Sequence, residues 1–256
     1  MEERILTFKG KIRKYAITAL LWLFAMFLSL KLVQYWVIDV CHVPTDSMES
    51  AIMAGDRVAV RKNWRININR FDLIVFHHPN GEDIQLVKRC IGLPGDTVSM
   101  VRGAIYINGK ISVAIPTVQK FPHDLPLLFP LRSLGWDTNN FGSVVTPAKG
   151  LSIPLDSANM NLYRNMIRAE EHEVSCLDTV FYIDGNATKG YTFRSNGYFV
   201  LGDNRGNSFD SRHWGFVPDE LIVGRVVMVV FSRDAARKRI RLERTGKRVS
   251  YLHTLQ

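Results

Sequence analysis

The chain has 256 residues, 46% of them apolar, enough for one or two domains around a real core and too apolar for a disordered or collagen-like chain. Its formal charge of +9 sits at the two ends: residues 1–14 carry a net +3 and residues 233–256 a net +6, which leaves the body neutral. A nucleic-acid-binding domain would carry that charge on its folded surface, so this class is set aside. The three cysteines, Cys41, Cys90 and Cys176, cannot all pair and have no zinc-ligand spacing, so neither a disulfide framework nor a structural metal is indicated.

In chain order, residues 1–14 form a basic N-terminus with Arg4, Lys9, Lys11, Arg13 and Lys14. Tyr15–Leu30 then runs without a charge, and the apolar character resumes after Lys31, so that residues 15–37 suit one transmembrane helix. At about 1.5 Å per residue they reach roughly 34 Å, enough to cross a hydrocarbon core. Lys31 can snorkel, and Tyr35 and Trp36 suit an interfacial belt. A cleaved secretory signal has a similar start, but this stretch is long for one and no small-x-small site follows it. The positive charges place the N-terminus in the cytoplasm and everything from about residue 38 outside it.

The remainder reads mainly as strands: residues 57–62, 71–78, 83–91, 97–101, 104–112, 179–185, 190–193, 197–202 and 224–232 are rich in β-branched and aromatic residues between Gly, Pro, Asn and Asp. Asn108-Gly109 between apolar residues predicts a tight hairpin. Leu162, Met166 and Ile167 predict a helix over 157–172, capped by Asp156 or Ser157. The irregular, proline-rich stretch 111–197 reads as a second module inserted into a β-domain formed by 38–110 and 198–232. His77-His78 reads as a solvated strand end, Asn186-Ala-Thr188 as a turn, and the basic tail 233–256 as a solvated end that could gain about 1 kcal/mol per charge near anionic lipid.

Three segments carry more polar and glycine detail than strand pairing needs. In Val43-Pro-Thr-Asp-Ser-Met-Glu49, Ser47 lies in a turn; a serine hydroxyl is a poor nucleophile without a base, so alone it reads as a turn residue. In residues 83–96, strand alternation puts Lys88 on a face with Ile84 and Leu86. That leaves Lys88 either exposed at an edge or partly buried, and burial would lower its pKa toward that of a usable base. In residues 202–218, Asp203, Asn204, Arg205, Asn207, Ser208, Asp210, Ser211 and Arg212 crowd a loop that closes on apolar His-Trp-Gly-Phe-Val-Pro, and Asp210 can pair with Arg212.

Taken together and in this order, an N-terminal anchor, P-T-D-S-M, L-V-K-R-C-I-G-L-P-G-D and G-D-N-R-G-N-S-F-D-S-R-H-W-G-F-V-P resemble the bacterial signal peptidase I (leader peptidase) family of serine proteases with a Ser/Lys dyad. The resemblance implies a mainly β fold: a signal-peptidase-type β-domain with an inserted smaller α+β module, preceded by one transmembrane helix. It implies Ser47 as nucleophile and Lys88 as general base. Thr45 would supply a hydroxyl to an oxyanion hole shared with the Ser47 N–H, Ser208 would orient the lysine amine, and Asp210 and Arg212 would form a structural ion pair. Val43, Met48, Ile52, Leu86 and Val87 would line shallow S1 and S3 pockets.

By the same resemblance the partners are pre-proteins bearing signal peptides and a lipid bilayer, with proximity to the secretion translocon. The location would be the cytoplasmic membrane of a bacterium, single-pass, and no metal or organic cofactor is required. A neutral Lys88 would need an apolar pocket, from Ile84, Leu86 and Ile91, without a nearby carboxylate. Where the family often reads S-M-x-P-T, this chain has Ser47-Met-Glu-Ser-Ala51, a change expected to loosen the turn. Two other readings compete. A self-cleaving Ser/Lys repressor would need a DNA-binding helix-turn-helix, and none is legible; a catalytically silent anchored binding module would be expected to have lost Ser47 or Lys88, and both remain.

Overall fold

The computed structural model describes residues 2–62, 67–81, 83–112, 136–137, 139–156, 160–178, 180–234 and 237–249, with side chains outside 2–13, 32–36 and 161. Two compact units divide between Asp39 and Val40. The first is a single helix, α1 (Glu2–Val37), which begins well before the uncharged stretch. Its window Lys14–Lys31 is long and apolar enough to cross a membrane. Tyr15, Trp22, Phe24 and Phe27 are all exposed. The hydroxyls of Thr18 and Ser29 bond back to the carbonyls of Lys14 and Met26, which satisfies them without water.

The second unit is mainly β. Its strands are β1 (Ile38–His42), β2 (Asp56–Lys62), β3 (Leu73–His77), β4 (Gln85–Gly92), β5 (Thr97–Val101), β6 (Ala104–Ile107), β7 (Lys110–Ile111), β8 (Phe141–Val145) and β9 (Ser152–Pro154). After helix α2 (Met160–Ala169) come β10 (Val174–Leu177), β11 (Val180–Ile183), β12 (Asn186–Thr188), β13 (Gly190–Thr192) and β14 (Gly197–Leu201). A short helix α3 (Ser211–Trp214) precedes β15 (Val217–Pro218), β16 (Ile222–Asp234) and β17 (Arg239–Ile240). The main sheet runs β1-β2-β16-β3-β4-β14-β15, with β17 pairing β16. A second sheet, β7-β6-β5-β8, draws strands from both sides of residue 111; β10–β12 and the pair β9–β13 complete the β structure.

Each apolar run lies in or overlaps a strand because its branched and aromatic side chains enter one of three buried clusters. The largest joins Ile91, Val98, Met100, Phe141, Tyr163, Met166, Phe199 and Phe216. The β6–β7 hairpin turns on Asn108 and Gly109, both at positive φ (52° and 75°), as a two-residue primed turn demands. The expected helix is present from Met160, and its Ser157 cap lies outside the described residues.

Three expectations fail. Asn186–Thr188 is not a turn but strand β12, paired with β11 so that Phe181 stands opposite Thr188 and Ile183 opposite Asn186; the turn lies just before it, at Asp184 and Gly185, both at positive φ. His78 is not a solvated end: it is buried, its Nδ1 accepts the Asn80 N–H at 3.1 Å, and its ring packs on Phe209 and Trp214. Nor is the basic tail simply solvated. After β17 it returns along β16, with Gly246 N–H to Val229 O at 2.8 Å and Val249 N–H to Val227 O at 3.1 Å.

Candidate active site

Three pieces of chain converge. The first is the loop between β1 and β2, closed at its base by Val43 N–H to Asp56 O and Gly55 N–H to Val43 O, both 2.9 Å. Inside it, Met48 O accepts the N–H groups of Ser50, Ala51 and Ile52 at 3.0–3.1 Å, so the segment after Ser47 is a tight turn. The expected loosening is absent. Ser50, which stands at the position of the family's proline, donates its hydroxyl to Asp203 Oδ2 at 3.0 Å and ties the turn to the facing loop.

The second piece is β4. It pairs with β3 and β14, which places Lys88 opposite Ile74, and from Lys88 onward every residue of the strand is buried. The ambiguity of strand alternation is therefore resolved toward burial: Lys88 is 3% exposed. Its Nζ lies 2.7 Å from Ser47 Oγ, across 41 positions of sequence.

The third piece is the loop after β14. Asn204 N–H donates to Ser47 O at 3.1 Å, and Asn204 Nδ2 donates to Asp46 O at 3.2 Å. Gly202 permits this approach: a Cβ there would stand 2.1 Å from Ser208 Oγ and 2.7 Å from Ser47 O. Asp210 and Arg212 meet as a bidentate pair, Nε to Oδ1 at 2.8 Å and Nη2 to Oδ2 at 2.9 Å, wholly buried. Asp210 also caps α3 and accepts the Gly202 N–H at 2.9 Å, so the pair stitches the loop to the end of β14.

A second bidentate pair carried no motif of its own. Arg89 holds Asp203 through Nε at 2.7 Å and Nη2 at 2.6 Å, also buried. Its signal was available in principle, since an arginine inside a buried apolar strand requires an anionic partner.

These pairs govern the electrostatics of Lys88. Burial drives its pKa down from 10.5 to about 8; Asp210 and Asp203 oppose that shift and Arg212 assists it. The sequence reading asked for no carboxylate nearby, and here two are felt. Each is already bound in a fork by an arginine, so neither gives the ammonium an ion pair of its own. Desolvation therefore wins. The pocket is not built as expected either: Ile84 is exposed.

The remaining expected residues are placed as follows. Thr45 Oγ1 lies 3.3 Å from Ser47 Oγ, and among the described residues the Ser47 N–H meets no hydrogen-bond partner. Ser208 is buried against Gly202, and among the described residues its hydroxyl has no hydrogen-bond partner. Val43, Met48 and Ile52 share one cluster with Val87 packed against it, whereas Leu86 packs with Phe76, Cys90 and Trp214 in another. His213 is buried, its Nδ1 accepting the Asp210 N–H at 3.1 Å as part of the α3 cap. Among the described residues no cluster of His, Cys, Asp and Glu could hold a metal ion.

Residues 15–231 match the family described as signal peptidase, peptidase S26. The chain belongs to this family. A signal peptidase I of Buchnera aphidicola is 30% identical over 77% of this chain and 71% of its own, and one of Aquifex aeolicus is 28% identical over 82% of each. A solved signal peptidase I of Enterococcus faecalis is 25% identical and aligns over 62% of this chain and 97% of that one, with a TM-score of 0.32. The peptidase chemistry of this family needs a nucleophile, a base and a site for an oxyanion, and the convergence just described offers candidates for all three.

Proposed function

We propose that this signal peptidase family member is a membrane-anchored serine endopeptidase that removes N-terminal signal peptides from exported pre-proteins through a Ser47/Lys88 dyad. The 2.7 Å approach of a buried lysine amine with a depressed pKa to a serine hydroxyl carries this reading. A structural serine has no need of such a neighbour, and perturbed titratable groups mark functional sites. A silent binding module would gain nothing from keeping a lysine where burial works against its charge.

Ser47 Oγ attacks the scissile carbonyl carbon while neutral Lys88 takes its proton. The oxyanion is received by the unpaired Ser47 N–H and the Thr45 hydroxyl. The Lys88 ammonium then protonates the leaving amine, the new N-terminus of the mature protein. Lys88, neutral again, takes a proton from water, the hydroxide opens the acyl ester to release the signal peptide with a free carboxylate, and the Lys88 ammonium returns its proton to the departing Ser47 Oγ. Ser208, buried beside this assembly, is assigned to orient the amine once it loses its proton, and the Asp210–Arg212 pair to keep the loop rigid. Helix α1 is assigned to the bilayer, where its exposed apolar side chains meet hydrocarbon, with the basic N-terminal end in the cytoplasm.

Substrate choice is assigned to Val43, Met48, Ile52, Leu86 and Val87. An apolar, shallow pocket accepts Ala, Gly or Ser at −1 and excludes larger chains. One methylene too many costs about 1–3 kcal/mol, so Ala→Val at −1 lowers cleavage at least tenfold in an assay of detergent-solubilised protein on a pre-protein with Ala at −1 and −3. Efficient cutting after Leu or Phe would contradict the pocket.

Thr45→Ala is expected to slow turnover about 10²–10³-fold, the usual loss for one oxyanion donor, while Thr45→Ser restores most of it because the hydroxyl stays. Equal rates for all three proteins would remove Thr45 from the oxyanion site.

A further inference from the structure

The C-terminal basic segment folds back on the loop that carries Ser47. Its path is set by β17, where Ile240 pairs with Arg233 and Arg239 with Asp234, and by Arg241 N–H to Ser232 O at 3.0 Å. Two of its arginines then point at the loop. Arg244 Nη2 donates to Asp56 Oδ2 at 2.6 Å and to Ala51 O at 3.1 Å, with Nε 3.4 Å from Asp56 Oδ1. Arg241 Nη1 donates to Ala54 O at 3.0 Å, and its Nη2 stands 3.4 Å from Asp234. Asp56 is fully buried and also accepts from Ser232 Oγ at 2.5 Å and from the Met53 N–H at 3.0 Å. Val249, further along the segment, packs on the cluster that holds Val43, Met48 and Ile52. A tail that only solvated the protein would have its arginines outward, as Arg239 does.

We infer that Arg244, with Arg241 beside it, is a positioning residue for cleavage: from the C-terminal segment it fixes the Ala51 and Asp56 side of the loop, and so the placement of Ser47 and the Met48–Ile52 pocket wall. The guanidinium fork suits this role because one group reaches a carboxylate and a backbone carbonyl at once, which a lysine ammonium does less rigidly. The Ser50–Asp203 contact restrains the same turn through a different residue, so loss of Arg244 removes the side-chain hold on Ala51 O while Ser50 and, through Arg241, Ala54 stay tied.

This rests on the assignment of Ser47 and its pocket, and one measurement is chosen to stand without it. Arg244→Ala alone leaves buried Asp56 with only the longer contact to Arg241 Nη1 at 3.9 Å and can unfold the protein. The double variant R244A/D56N removes that charge, and Arg244→Lys keeps it without the fork. Hydrogen exchange of the Ser50, Ala51 and Ile52 amides, all bonded to Met48 O, is expected to be at least tenfold faster in R244A/D56N than in the unmodified protein. Exchange unchanged there overturns the strap whatever the activity. In cleavage, kcat/KM is expected to fall about tenfold in R244A/D56N and less in R244K, with the −1 preference for Ala over Val narrowed at least threefold. Arg239→Ala is expected to keep both at the unmodified level. A uniform loss of rate with the Ala/Val ratio intact overturns the positioning role, because a smaller folded fraction lowers both substrates alike. If Ser47→Ala still cleaves, the Ser47 assignment fails, and the exchange result alone decides the strap.

Discussion

Ser47→Ala and Lys88→Ala are each expected to abolish cleavage, with kcat lowered by about 10⁴–10⁶, and the double variant to be no worse than either single one. The reason is geometric: these two groups meet at 2.7 Å, and each is useless without the other. A serine without a base keeps its proton, and a base without the serine forms no acyl ester for its water to open. Losses that multiplied in the double variant would mean that the two residues act independently. Near-normal turnover in either single variant would dismantle the dyad. The assay is cleavage of a pre-protein with Ala at −1 and −3 by the full-length, detergent-solubilised protein, with thermal unfolding run in parallel to confirm that each variant is folded.

Most of the architecture was legible because its signals are local. A run such as Gly224–Ser232 has no period that suits a helix, and it becomes the centre of β16. Asn108-Gly109 names its own turn. The site was legible by a different route, from three short segments whose order matched a family, because nothing local to Ser47 or Lys88 distinguishes them from a turn serine and a surface lysine.

What stayed hidden depends on partners distant in sequence. Arg89 and Asp203 are 114 positions apart, and Arg244 lies 188 from Asp56. Charge composition alone cannot tell an arginine that forks a buried carboxylate from one that faces water, so the C-terminal segment read as a solvated end. His78 failed for the same reason, since its burial comes from Phe209 and Trp214 on the far loop. Ser50 shows how a departure from a family pattern misleads. The proline is gone, but the hydroxyl that replaces it reaches Asp203, and the turn is held by a bond that the motif never contained.

Cleavage is expected to rise with pH through a single ionisation near pH 8 and then level. With a pKa of about 8, roughly a tenth of Lys88 is neutral at pH 7; at the ordinary value of 10.5 the neutral share would be about one part in 3,000. Burial is the first cause of the shift, so it has a signature in stability as well as in rate. The folded protein loses the Lys88 proton at about 8 and the unfolded chain at about 10.5, so below pH 8 folding must bury an ammonium. That opposition is fully present below pH 8, fades between 8 and 10.5, and is absent above. Lys88→Met, which fills a similar volume without charge, should therefore be inactive yet more stable at pH 7 by on the order of 3 kcal/mol, with the advantage vanishing above pH 10.5. Lys88→Arg should be inactive at every pH, because a guanidinium does not give up its proton. Chemical denaturation of the two variants and the parent at pH 7 and pH 10.5 reads the stability difference, and the pH–rate profile reads the ionisation. A rate still climbing past pH 10, an active Arg variant, or a Met variant no more stable than the parent at pH 7 would each mean that burial does not lower the Lys88 pKa into the working range of a base, and the base would have to be sought elsewhere.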